Sequence, residues 1–181
     1  MRPFRLIALA LIAFAVAGGA VADSMVYLSF DADSESARWR TGDVTLAIRK
    51  GLVNKRIDVL FRRKGSDLPL IASDAPFDVT ALAPLLNGAK PDDVRLYSLE
   101  PKAGAKFMPI ACSGLSQKAW VAISNPRSYK PLTIWVVRWD EAAARPELCV
   151  EMTYRFRGEW KFPPQANRSA QESPFYDNAA H

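Results

Sequence analysis

Histidine occurs once in the 181 residues, as His181. Triad and dyad hydrolases hold an imidazole between a nucleophile and a carboxylate, so a lone histidine at the last position offers no such machinery. Cysteine occurs twice, as Cys112 and Cys149. With one histidine these cannot assemble a closed zinc site, and no catalytic or metal-ligating residue is assigned. Glycine-rich loops of the phosphate-cradling kind are absent, and no cofactor is expected. Beyond residue 22 no apolar run approaches the roughly 18–20 residues of a membrane-crossing helix. Disorder is excluded as well, since 49% of residues are hydrophobic, five of them Trp and nine Phe, where a disordered chain has low hydrophobicity and high net charge.

What is present begins with Arg2 and Arg5, the apolar run Leu6 to Ala17, and Ala20-Val21-Ala22. This order is that of a secretory signal peptide over residues 1–22, cleaved before Asp23. The expected compartment is the periplasm or the exterior, with no transmembrane segment after cleavage. An oxidising compartment makes Cys112–Cys149 a disulfide; closing a loop of about 38 residues contributes on the order of 4 kcal/mol.

Strand signals recur every ten to fifteen residues between Gly, Pro, Asn and Asp clusters. The fold expected is mainly β: a single antiparallel sandwich, immunoglobulin-like or jelly-roll-like, or an open barrel, with one or two short helices. The domain runs over 23–157 and a flexible, proline-containing tail over 158–181. Val44, Leu46 and Ile48 alternate with Thr45, Ala47 and Arg49, predicting one buried and one wet face. Ile57, Val59 and Phe61 are expected to face inward on the partner strand, placing Arg49 and Arg62 outside. Phe107 to Ala111 reads as a further strand. Asp78 or Thr80 starts a short helix that Asn87-Gly88 stops. Leu132 to Trp139, apolar on both faces, reads as a central strand, and Val150, Met152, Tyr154 and Phe156 face inward on its neighbour, with Cys149 in the outward set.

Charge is the strongest functional signal. The whole chain carries +5. Loss of Arg2 and Arg5 leaves +3, and residues 37–64 hold nine basic residues against Asp43 and Asp58, a net +7, with −4 over the remainder of the mature chain. Arg49, Lys50, Lys55, Arg56, Arg62 and Arg63 form the expected anion-binding patch on a β-hairpin. A concentrated positive field attracts anionic partners. Outside the cytoplasm these are an anionic envelope component or an acidic protein, not nucleic acid. The competing reading is a set of charges that solubilises the hairpin and guards a sheet edge. Trp135 and Trp139, on one strand face, are a candidate aromatic platform for sugar rings, against the alternative of core packing. The acidic run Asp31 to Glu35 begins like a calcium loop but has Ser36 where the turn glycine belongs and Gly42 where the bidentate Glu belongs.

The function expected is that of an exported, non-catalytic binding or accessory protein. Two alternatives come from other classes. One is an inhibitor or immunity protein for an exported enzyme. The other is a small envelope hydrolase that uses two carboxylates, drawn from Asp58, Glu100, Asp140, Glu147 and Glu151.

Overall fold

The computed structural model describes residues 24–51, 55–112 and 119–160. The expected leader at 1–22, and all of the expected tail at 158–181 beyond Trp160, lie outside the described residues. Among the described residues eight strands follow one another: β1 (Ser24–Ala32), β2 (Val44–Lys50), β3 (Lys55–Arg62), β4 (Leu68–Ala72), β5 (Val94–Leu99), β6 (Ala119–Ser124), β7 (Leu132–Asp140) and β8 (Arg145–Trp160). Each pairs antiparallel with the next, and β8 returns to pair with β1, closing an up-and-down barrel. A sandwich or open barrel is thereby corrected to a closed one. Inward–outward alternation is common to both architectures; what separates them is the β1–β8 ladder, a pairing between the two ends of the domain. Strand β8 is long enough to hold both neighbours, giving residues 145–154 to β7 and 154–160 to β1. It runs on to Trp160.

Of three bulges among the described residues, one leaves Arg157 extra where β8 meets β1; the other two decide the inward sets of β3 and β8. On β3, Ile57 pairs with Ile48 and Val59 with Ala47, leaving Asp58 as an extra residue. The bulge reverses the phase, so Leu60 and Arg62 face inward after Ile57, while Val59 and Phe61 do not. On β8 the extra residue is Cys149, between Leu148 and Val150. Cys149 consequently packs against the interior rather than outside, while Leu148 joins the outer cluster.

The barrel interior is filled. Phe30, Leu46, Ile57, Leu60, Ile134, Met152 and Tyr154 are all buried in one cluster. One end is capped by α1 (Glu35–Arg40), which contributes Ala37, and by α2 (Pro101–Ala111), which contributes Ala103, Phe107 and Ala111. The segment Phe107 to Ala111 is therefore helix, not strand. Pro101 occupies the first turn, where its missing N–H costs nothing, and the 103, 107, 111 spacing turns one stripe to the barrel. Cys112, just past α2, is bonded to Cys149 as expected, so the disulfide fixes this cap to the barrel wall.

The outer face is less wet than alternation implies. Thr45 and Ala47 are buried; Tyr27 lies opposite Ala47 and packs on Phe61, and Trp160 Nε1 donates to Ser29 Oγ, which is itself bonded to Thr45 Oγ1. A strap of residues 73–93 covers the outside of β5 to β8. Asp78 Oδ1 accepts from Thr80 N and Ala81 N to start a 3-10 helix over Val79–Leu85, and Asn87 and Gly88 follow with positive φ. Its Leu82 and Leu86 are buried against Trp120, Trp135 and Val137.

Candidate anion-binding site

The topology separates two ends. The helical end holds α1, α2 and the β3–β4 and β7–β8 turns; the opposite, tip end holds the β2–β3 connection, the 125–131 loop and the start of β1. Residues 37–64 run from one end to the other and back, so their +7 is not one patch.

At the tip, the β2–β3 ladder places Arg49 opposite Arg56 and Lys50 opposite Lys55. Like charges directly across a ladder are destabilising. Two carboxylates offset them. Asp58 binds Arg49 Nε at 2.8 Å through Oδ2 and Arg56 Nε at 3.3 Å through Oδ1. Glu159 Oε1 lies 3.7 Å from Lys50 Nζ, and its Oε2 accepts from Ser128 Oγ at 2.6 Å. Lys55 is exposed with no charged partner among the described residues. The bulge at Asp58 is what brings one carboxylate within reach of both arginines. Arg95, at the start of β5, adds a fifth cation. Burial holds the Tyr97 hydroxyl above the ordinary phenol range, opposed by a hydrogen bond to the Ile57 backbone and by the charges of Arg95 and Arg56. Sequence reasoning missed Arg95. The signal was its position two residues before an inward tyrosine on an adjoining part of the wall.

Arg62 is not part of this surface. It is 4% exposed, facing into the helical end of the barrel. Its Nε and Nη2 donate to Ser66 O at 2.8 and 2.6 Å, and its guanidinium lies 4.7 Å from the Phe107 ring centroid. Expected outside, it is turned inward by the β3 bulge. Arg63 is exposed but sits at the helical end, 3.3 Å from Asp43; eight residues of strand beyond Lys55 put it roughly 25 Å from the tip. Of the six patch residues, Arg49, Lys50, Lys55 and Arg56 are brought together and the other two are not.

The tryptophan platform is covered. Trp135 is 2% exposed and donates through Nε1 to Glu151 Oε2 at 3.0 Å. Asn87 of the strap donates to the same oxygen at 2.6 Å. Trp139 stacks on Phe77 of the strap, with centroids 5.6 Å apart and planes at 9°. Both rings are packing groups, because a segment with little strand signal folds over them.

The candidate carboxylates are scattered. Asp58 is held at the tip by two arginines, Glu147 by Arg138, Glu151 by Trp135 and Asn87, and Asp140 accepts from the Ala142 and Ala143 amides in the β7–β8 turn. Asp31 and Asp33, from the calcium-like run, bind Arg157 and Arg155. Among the described residues no group of three or more His, Cys, Asp or Glu is placed to hold a metal ion. No protein-family model, curated protein or solved structure matches this chain.

Proposed function

We propose that the protein is an exported, non-catalytic binding protein whose barrel tip, through Arg49, Lys50, Lys55 and Arg56 with Arg95 beside them, takes an anionic component of the cell envelope. The observation that carries this reading is the pairing of like charges at the tip, Arg49 opposite Arg56 and Lys50 opposite Lys55. Edge protection is the ordinary reason for lysine and arginine on a hairpin. Strand β2 is paired by β1 as well as by β3 over Arg49 and Lys50, so that reason does not reach these two. Strand β3 pairs with β4 only at Val59 and Leu60, but the four cations still outnumber Asp58 and Glu159, the two carboxylates that offset them. An anionic ligand relieves the excess. The disulfide agrees with an oxidising compartment.

The test compares the protein with a variant carrying Arg49→Gln, Lys50→Gln, Lys55→Gln and Arg56→Gln, in binding to anionic envelope extracts at low salt. Loss of four cations is expected to weaken binding at least about tenfold and to flatten its dependence on salt. Retention of full affinity would sink the proposal. Capture of one stoichiometric enzyme, insensitive to salt, would favour an inhibitor instead.

A further inference from the structure

We infer that the helical end of the barrel is a docking face for an anionic phospholipid bilayer, inserted at the headgroup level through Trp39 and Ile110. This surface is at the opposite end from the tip cluster and does not rest on it. Trp39 is 75% exposed and Ile110 48%, although the same two helices bury Ala37, Phe107 and Ala111. Helix α1 turns Ala37 to the barrel, and Trp39, two residues on, projects from the other side. In α2 the stripe at 103, 107 and 111 faces the barrel, which leaves Lys102, Lys106 and Ile110 as one exposed stripe at i, i+4 and i+8. Arg40 Nη1 donates to the Ile110 carbonyl, which joins the last turn of α1 to the C-terminal end of α2.

Cations surround the two apolar groups. Lys64 Nζ lies 5.9 Å from the Trp39 ring centroid, and Arg38, Arg63, Lys102 and Lys106 are exposed on the same end. The acids near α1 are partly engaged: Asp33 binds Arg155, and Asp43 binds Arg63 and Arg157. Glu35 is exposed in the first turn of α1. A protein partner needs a contiguous apolar core, which a separate Trp and Ile among lysines do not supply. A bilayer surface suits them: indole rings settle at the interface, and lysine and arginine attract anionic headgroups. The face is held rigidly. Ser34 Oγ caps α1 at Ala37 N, and the disulfide fixes the end of α2.

The experiment is co-sedimentation of the full chain with phosphatidylcholine vesicles, with and without phosphatidylglycerol, together with quenching by brominated acyl chains. Trp39→Ala, Ile110→Asp and Lys102→Gln/Lys106→Gln variants are compared, so any contribution of the N-terminal segment is common to all. Binding is expected only to the anionic vesicles, with a quenched fluorescence component that disappears in Trp39→Ala and affinity lowered about tenfold in the first two variants. Lys55→Glu/Arg56→Glu, at the tip, is expected to leave the Trp39 quenching unchanged. The inference is overturned by absence of binding, by quenching that persists without Trp39, or by undiminished affinity of Trp39→Ala. Loss of vesicle binding in the tip variant alone would overturn it too, and would leave the proposed function standing. Folding of each variant is checked by near-ultraviolet circular dichroism.

Discussion

The Tyr154 hydroxyl lies inside the barrel, 2.8 Å from Thr41 Oγ1 and 3.5 Å from Met152 Sδ. Burial pushes its pKa well above the ordinary phenol range, against the hydrogen bond from Thr41 and the charge of Arg62. A phenol whose folded pKa is raised supports the fold fully below the unfolded value near 10 and loses that support as pH rises beyond it. Tyr97 is shifted in the same direction. Tyr154→Phe is expected to cost about 1–2 kcal/mol at neutral pH through the lost hydrogen bond, and to weaken less steeply than the parent protein above pH ~10. Urea unfolding on both sides of that pH measures this, and parallel curves would refute it. A neighbouring constraint is Gly65, at φ +91°, where an added Cβ would come within 2.9 Å of Arg62 Nη2. Gly65→Ala, followed by thermal unfolding, is expected to lose about 2 kcal/mol from backbone strain and displacement of the buried guanidinium. A glycine beside arginine and lysine reads in sequence as a loop; that its emptiness holds a buried cation is visible only with the fold.

Element by element, legibility followed the locality of the cause. The inward sets of β2 and the second half of β8 follow from a period of two, and Asp78, Asn87 and Gly88 marked the 3-10 helix through local hydrogen bonding and left-handed backbone. The bulges at Asp58 and Cys149 have no comparable mark, because an extra residue in a strand is decided by the partner's register. One slipped residue sent Arg62 inside. The second half of helix α2, Phe107 to Ala111, reads as a strand in sequence because a short apolar run fits either period, and the side it buries exists only once the barrel end does. The disulfide links these cases, joining the end of α2 to the β8 bulge across a sequence separation of 37 residues. Cys112→Ser with Cys149→Ser is expected to lower stability by about 4 kcal/mol and to raise amide exchange in α2 more than in β7. Equal protection of α2 with and without the bond would contradict its role as the tie of the cap.

At the scale of the whole molecule, closure governs stability and where the charges lie. The weakest part of the wall is the β3–β4 seam, where the ladder consists of Val59 opposite Pro69 and Leu60 opposite Leu68. Proline gives that seam no donor, so the amides of β4 are expected to exchange faster than those of β1, β2, β7 and β8, read by hydrogen-exchange mass spectrometry; a uniformly protected wall would contradict it. Closure pairs β2 on both sides, which removes the edge that its charges would ordinarily protect, and the up-and-down order splits the basic segment between two ends of the barrel. Sequence by itself determined the β class, the covalent pair and the excess of positive charge over residues 37–64, because alternation, cysteine count and charge are properties of the chain. Only the tertiary structure decided that the barrel closes, that Arg62 lies inside it and that the charge divides into a tip and a helical cap. Each of those depends on which distant strands pair and in what register, and no local periodicity carries that information.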